Sequence, residues 1–108
     1  MRNIKFSPAA EKDLLDIKTY ITEELQNPIA AMNTVKKIVA AYRELQDFPD
    51  LGILLERYTK IESDLRFVLA NNYSIFYDYD DDVIHIIRII YSKRDFINIF
   101  SEKNRADI

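Results

Sequence analysis

The residues best placed to do chemistry follow a long apolar run near the end of the chain. Residues 83–91 (VIHIIRIIY) are apolar except for His85 and Arg88, and the run continues directly into the charged segment SKRD at 92–95. A strand that is apolar at nearly every position is typical of the buried interior of a sheet. Cations that follow such a strand are held at the edge of a rigid scaffold. We therefore expect the functional edge of the protein at the end of this central strand.

The charges around this edge are predominantly positive. Five cations and two anions lie between residues 88 and 105; they are Arg88, Lys93, Arg94, Lys103 and Arg105, with Asp95 and Glu102. If the strands pair as a meander, Arg66 is expected to join them, while the aspartates before residue 83 lie at the opposite lip. The alternative is a solvated charged face that contacts nothing.

Two other sets of residues could carry chemistry. His85 is the only imidazole, and a general base would need an orienting partner and an open site; a strand histidine in a half-buried position is the plainer interpretation. Asp78, Asp80, Asp81 and Asp82 lack the central glycine and final glutamate of a calcium loop. We expect them to form a solvated turn, and we expect no metal and no cofactor.

Composition limits the class of protein. The 108 residues suit one domain spanning 1–108, and 48% hydrophobic with 31% charged residues is typical of a globular chain. No cysteine and a single histidine exclude the usual zinc sites. The net charge of −3 argues against a general nucleic-acid binder. No apolar run approaches the roughly 20 residues of a membrane span, so we expect no membrane partner and a cytoplasmic protein.

The first half of the chain predicts a short strand over 3–6 and two helices. Ser7-Pro8 and Asn27-Pro28 each join a capping side chain to a proline suited to the first helical position. The first helix should end near residue 26, and the near absence of a loop predicts an antiparallel hairpin. The apolar stripes expected to face the core are Ala10, Leu14, Ile17, Ile21 and Leu25 in the first helix, and Met32, Val35, Ile38, Val39, Tyr42 and Leu45 in the second.

The second half predicts three strands. The segment FPDLG at 48–52 ends the second helix, and 53–63 is expected to be a loop with at most one helical turn. Alternating residues predict strands at 65–69 and 73–79 before the central strand, with turns at Asn71-Asn72 and Asp80–Asp82. The predicted fold is α+β, with the order β-α-α-β-β-β and a helical hairpin on a mostly antiparallel sheet. The tail from Asp95 to Glu102 could add a short helix.

Four segments, taken in order, carry a resemblance to a known family. They are FSPAAEKDLLDI, FPDLG, DLRFVLANNYSIFYDY and VIHIIRIIYSKRDF, and they span nearly the whole chain. In this order they resemble the RelE/ParE superfamily, the toxins of bacterial type II toxin–antitoxin modules. The resemblance implies the fold predicted above and a cognate antitoxin protein as partner.

The superfamily contains two activities, and the first is poorly matched here. RelE-like members cut messenger RNA in the ribosome, which requires groups that activate the 2′-hydroxyl, stabilise the phosphate and protonate the leaving oxygen. By resemblance, their strand arginine falls at Ser74, their C-terminal tyrosine at Phe100, and their lysines on or near Leu65 and Phe67. Of that catalytic set only Arg94 is retained, as a remnant, so we assign no catalytic residue.

The ParE-like branch matches better. Its members have a longer helical hairpin, lack that catalytic set, and are described as poisons of DNA gyrase that act by binding. The resemblance therefore implies a gyrase inhibitor whose candidate contacts with target or antitoxin are Arg66, Arg88, Lys93, Arg94 and Phe96. Two alternatives stay open: a RelE-like endoribonuclease acting on ribosome-bound mRNA, and a non-toxic module that only binds an antitoxin.

Overall fold

Five strands form one sheet, and two long helices cover one of its faces. The computed structural model describes residues 1–59 and 62–92, so the predicted tail helix at 95–102 lies outside the described part. The elements are β1 (Asn3–Phe6), α1 (Pro8–Thr19), a π-helix (Tyr20–Glu24), α2 (Pro28–Glu44), a 3₁₀ turn (Pro49–Leu51), β2 (Ile53–Leu54), the one-turn helix α3 (Leu55–Tyr58), β3 (Arg66–Ala70), β4 (Tyr73–Tyr79) and β5 (Val83–Tyr91).

The strand order is β1-β5-β4-β3-β2. The helical hairpin carries the chain across the sheet, and the antiparallel meander β3-β4-β5 then returns to finish beside β1. The β1–β5 pair is parallel and the other three pairs are antiparallel. This arrangement confirms the predicted α+β fold and its element order. The apolar strand β5 lies inside the sheet as predicted, but β4 occupies the middle position.

The main core lies between the hairpin and the sheet. Its buried members are Ala10, Ile17, Ile21, Ala31, Ile38 and Leu45 from the helical part, and Ala70, Ile75, Tyr77, Ile84, Ile86 and Ile89 from the strands. Two residues of the predicted stripes are instead exposed, Leu25 at 57% and Met32 at 60%. Leu25 follows the π-helix, whose wider turn shifts the helical register by about one residue. Met32 turns outward because the buried side of α2 is centred on Ala31, Thr34 and Ile38.

A second, smaller apolar cluster covers part of the opposite face of the sheet. Leu55 of α3 is completely buried there against Phe67, Phe76 and Ile90, with Leu65 partly buried beside them. The segment at 53–63 therefore holds the predicted helical turn together with a short edge strand that was not predicted. Two residues of strand carry too little alternation to be recognised in the sequence.

A β-bulge in β5 joins the sheet to the start of α1. Phe76 pairs with Arg88 while Tyr77 pairs with Ile86, so Ile87 is an extra residue on β5. The Ser7 hydroxyl donates to the Ile87 carbonyl at 2.6 Å and accepts from the Ala10 amide at 3.0 Å. The Ser7 side chain therefore both caps α1 and hydrogen-bonds the carbonyl of the bulged residue.

Beyond the bulge, helix α1 supplies the hydrogen bonds that β1 is too short to make. The Asp13 carboxylate accepts from Arg88 Nε at 2.7 Å, from Arg88 Nη2 at 3.0 Å and from the Ile89 amide at 2.9 Å. The Asp13 and Arg88 side chains are only 14% and 25% exposed. Asp13 raises the pKa of Arg88 by this hydrogen bonding. The pair therefore fixes α1 against the edge of β5.

The FPDLG segment is anchored by Tyr77 of β4. The Tyr77 hydroxyl donates to the Pro49 carbonyl at 2.6 Å and accepts from the Gly52 amide at 2.8 Å. Burial raises the pKa of Tyr77, so the hydroxyl keeps the proton that it donates. A Cβ at position 52 would lie 2.6 Å from the Tyr77 hydroxyl, so this close approach requires the chain's only glycine.

We expect Tyr77→Phe to lower the free energy of unfolding by about 1–3 kcal/mol, because the Gly52 amide would be left buried without an acceptor. Urea denaturation followed by circular dichroism measures the change. Tyr79→Phe is the matched control, since the Tyr79 hydroxyl contacts the exposed carboxylate of Asp50. Equal losses in the two variants would contradict the structural role assigned to Tyr77.

We expect Asp13→Ala to cost about 3 kcal/mol of stability, because it leaves the Arg88 guanidinium and the Ile89 amide without their partner. Asp16→Ala on the same helix removes an exposed pair with Lys12 and should cost under about 1 kcal/mol. Thermal unfolding of both variants beside the unaltered chain tests the difference. Similar melting temperatures for the two variants would show that Asp13 does not hold the helix to the sheet.

Candidate functional site

A groove lies at the end of the sheet where β5 finishes, which is where the sequence predicts the functional edge. We call it the tyrosine groove. It has a volume of about 660 Å³ and runs between the tip of the helical hairpin and the β3–β4 turn. Its lining residues are Asp13, Asp16, Ile17, Tyr20, Ile21, Leu25, Ala30, Thr34, Asn71, Asn72, Tyr73, Ile89 and Tyr91.

Local geometry explains why these elements meet. The β3–β4 turn closes through Asn71, which adopts a positive φ of 56° as asparagine tolerates. The Ser92 amide donates to the Asn72 carbonyl at 2.8 Å, so the end of β5 is held against this turn. The Tyr73 and Tyr91 rings lie 5.7 Å apart on the paired strands β4 and β5. On the helical side, Tyr20 lies at the junction of α1 and the π-helix and lines the groove.

The tyrosine groove offers an apolar floor and a polar rim. Burial raises the pKa of Tyr73, with smaller contributions from Tyr91 and Tyr20, so its hydroxyl is neutral at physiological pH. Neutral tyrosines present large rings with a hydroxyl that can donate or accept, a combination enriched at protein interfaces. The arrangement is suited to binding a polypeptide.

The structure places the predicted contact residues in different environments. Arg88 is held by Asp13, as described above. Arg66 donates to the Gly52 carbonyl at 2.8 Å and lies 3.9 Å from the Asp50 carboxylate. Lys93, Arg94 and Phe96 lie outside the described residues.

The expectation that Arg66 joins the positive end of the sheet is wrong. β3 runs antiparallel to β4, and Arg66 at its start pairs with Tyr77. That position lies toward the end of β4 that leads into the turn at Asp80–Asp82, away from Tyr91. The side chain there anchors the FPDLG segment to the sheet rather than lining the tyrosine groove.

Three of the positions that the resemblance assigns to RelE catalytic residues lie in the described part of the chain, and packing groups occupy them; Phe100 lies outside it. Phe67 is buried and Leu65 partly buried in the small cluster around Leu55. Ser74 is only 3% exposed, and its hydroxyl lies 3.1 Å from the Ser92 hydroxyl. None of these three side chains can carry a positive charge to a phosphate.

His85 and the aspartates lie at the opposite end of β5. His85 Nδ1 is 2.8 Å from Asp78 Oδ1, and the two side chains are 39% and 42% exposed. The Asp80 carboxylate accepts from the Asp82 and Val83 amides at 2.8 Å each, and these bonds lower the pKa of Asp80. Among residues 1–59 and 62–92, no three acidic or histidine side chains converge as metal ligands. This end of the sheet is therefore built as a hydrogen-bonded turn.

Sequence reasoning missed two important residues. Asp13 follows Ala10 by three positions and precedes Ile17 by four, so an acid interrupts the apolar face of α1 and could have indicated a buried partner. Tyr20 carries no such signal, because the groove that it lines is completed by residues of the distant strands β4 and β5. No helix in the described part of the chain is long and apolar enough to cross a membrane.

Comparison with known proteins defines the family. The family described as ParE toxin of type II toxin-antitoxin system, parDE, matches residues 4–96. A solved structure titled chromosomal ParDE TA system from P. aeruginosa is similar with a TM-score of 0.70 and 22% identity, covering 86% of this chain and 98% of that one. At that identity the likeness shows a shared fold. No curated protein matches the chain. Since the family match extends over most of the sequence, the chain belongs to the ParE toxin family of type II toxin–antitoxin systems.

Proposed function

We propose that this ParE-family toxin inhibits DNA gyrase by binding to it in the cytoplasm, and that a cognate antitoxin neutralises it by occupying the tyrosine groove. The observation that carries the binding mechanism is the packing of Leu65, Phe67 and Ser74. At these positions Leu65 and Phe67 pack in an apolar cluster, and the Ser74 hydroxyl lies against the Ser92 hydroxyl. Removing a single catalytic group often costs about 10²–10⁴ in rate, so a site lacking several would retain little activity.

The target-contact surface that we propose is the positive segment after β5. Arg88 and Arg66 are already engaged inside the fold by Asp13 and by the Gly52 carbonyl. Their substitution should therefore act mainly through stability. The candidates for direct contact are then Lys93, Arg94 and Phe96, which follow Ser92 in the sequence.

The antitoxin suits the tyrosine groove by chemistry. Family membership supports a cognate antitoxin as partner. Antitoxin segments that fold on binding need apolar anchors and hydrogen-bonding groups along one surface. The groove supplies Ile17, Ile21 and Ile89 as apolar contacts, with Asn71 and Asn72 as amides on the rim. Tyr20, 54% exposed, and Tyr91, 39% exposed, offer ring surface that a partner can cover.

The proposal on mechanism is tested with antitoxin-free toxin in two assays run on one preparation. We expect blocked supercoiling in a gyrase assay and an intact message after incubation with programmed ribosomes, read by primer extension. Cuts in the message would instead support the RelE-like endoribonuclease. Absence of both effects would support a module that only binds antitoxin.

The variant Arg94→Ala tests the proposed target-contact surface. We expect it to lose most gyrase inhibition while its free energy of unfolding changes by under about 1 kcal/mol, as is usual for a surface cation. Arg88→Ala is the contrasting control, because it should lose stability through the unpaired Asp13. Gyrase inhibition that survives in Arg94→Ala would remove this residue from the contact surface.

The antitoxin site is tested by calorimetry with the protein encoded beside the toxin gene. We expect Tyr20→Ala to weaken binding by about tenfold or more, since a well-covered aromatic residue is often a binding hot spot. Phe48→Ala is the matched control, because Phe48 is 61% exposed and lies outside the tyrosine groove. Equal affinities for the two variants would place the antitoxin on another surface.

A further inference from the structure

The charges of the tyrosine groove indicate what kind of side chain it accepts. Asp13 and Asp16 are the only charged side chains among its described lining residues, so this lining is acidic. The Asp13 carboxylate is already engaged by Arg88 and by the Ile89 amide. Asp16 is 60% exposed and pairs at 2.8 Å with Lys12, which is itself exposed. Asp16 is therefore the carboxylate that can accept hydrogen bonds from a ligand.

Three tyrosine rings surround the same space. The Tyr73 and Tyr91 rings lie 5.7 Å apart. Burial raises the pKa of Tyr73 most, and Tyr91 and Tyr20 raise it further, so the three side chains lie near one another. Aromatic faces attract a cation that lies within about 6 Å of the ring centroid. Exposed rings beside an exposed carboxylate therefore form a surface suited to a positively charged side chain.

Thr34 is a further polar group that is open to a ligand. It is only 6% exposed and lines the groove from the buried side of α2. Its hydroxyl has no hydrogen-bond partner in the described part of the chain. No fully buried side-chain oxygen or nitrogen in that part lacks a partner, so the Thr34 hydroxyl is reached from the groove. Because buried polar groups normally find a partner, a polar atom entering the groove would bond here.

We infer that the antitoxin segment in the tyrosine groove carries an arginine, which lies on the tyrosine rings and pairs with Asp16, while a polar atom of the same segment bonds the Thr34 hydroxyl. The inference rests on the proposed antitoxin site and adds the chemistry that the site recognises. Arginine fits better than lysine because its planar group stacks on aromatic faces and donates in a fork to a carboxylate. The isoleucines of the groove contact apolar residues on either side of this arginine.

Calorimetry with the protein encoded beside the toxin gene tests the pairing with Asp16. We expect Asp16→Asn to weaken binding about tenfold, because it removes a charge-assisted hydrogen bond. Glu56→Gln is the matched control, since it removes the same charge from an exposed position of α3 outside the groove and should leave the affinity unchanged. Added salt should weaken binding less steeply in Asp16→Asn than in the unaltered chain. Equal affinities for the two variants would overturn the inference.

The variant Tyr20→Ala, measured beside them, separates this inference from the proposed antitoxin site. Weaker binding in Tyr20→Ala with unchanged binding in Asp16→Asn would keep the antitoxin in the groove and exclude the arginine pair. Unchanged binding in both variants would place the antitoxin on another surface and overturn both proposals.

Thr34→Val separates recognition of a ligand from a role in the fold. Valine has a similar shape but no hydroxyl, so we expect the free energy of unfolding in urea to be unchanged or higher, because no internal hydrogen bond is lost. The affinity for the antitoxin should fall about 2- to 10-fold, as for one lost hydrogen bond. Lower stability with unchanged affinity would show that the hydroxyl serves the fold.

Replacing the arginines of the antitoxin by glutamine, one at a time, identifies the partner of Asp16. One of these variants should lose as much affinity as Asp16→Asn does. Combining it with Asp16→Asn should cost little more, because both substitutions remove the same contact. Additive losses for every arginine would exclude the pair.

Discussion

The contact between the Asp13 carboxylate and the edge of β5 is the interaction on which the rest of this structure depends. β1 pairs with β5 only up to Ile86, and from there α1 takes over the edge. Ser7 satisfies the bulge carbonyl, and Asp13 satisfies the Ile89 amide and the Arg88 guanidinium. Buried backbone groups at the edge of a strand need hydrogen-bond partners, because an unpaired amide costs about 1–3 kcal/mol of stability. The helix therefore has one position relative to the sheet.

This constraint also shapes the candidate site. The tyrosine groove exists because α1 continues past Asp13 to the end of β5, so that Tyr20 of the helical part faces Tyr73 and Tyr91 of the sheet. The π-helix adds a residue at this point and turns Leu25 toward the groove instead of the core. π-turns within helices are frequent at functional sites. Here the turn places Leu25 in the lining of the groove.

The residues at the positions that the resemblance links to RelE chemistry have a packing role in this sheet. Apolar residues at 65 and 67 belong to a cluster closed by Leu55 of the one-turn helix α3, so they stabilise the domain. The same scaffold still ends in a rigid strand beside a groove with polar and aromatic groups. Folds host different functions through the residues grafted on them, so the binding role that we propose depends on these side chains rather than on the architecture.

Much of the fold follows from local signals in the sequence. Ser7-Pro8 and Asn27-Pro28 cap both helices as predicted, with side chains accepting from the Ala10 and Ala30 amides. The alternation of apolar and polar residues correctly predicted β3 and β4, and the long apolar run correctly predicted β5. These features depend on residues within a few positions of one another, where propensity and periodicity act directly.

The site depends on the tertiary structure. Asp13 and Arg88 are 75 positions apart, and no local pattern pairs them. The meander direction moved Arg66 to the acidic end of the sheet, and the π-helix moved Leu25 out of the core. The bulge at Ile87 was hidden in a mostly apolar strand, since adding one apolar residue to such a run hardly changes its pattern. The sequence by itself determined which segments become helices and strands, and it determined the family to which the chain belongs. Only packing decided which faces meet, because register and helix rotation are set by contacts between segments that are distant in the chain.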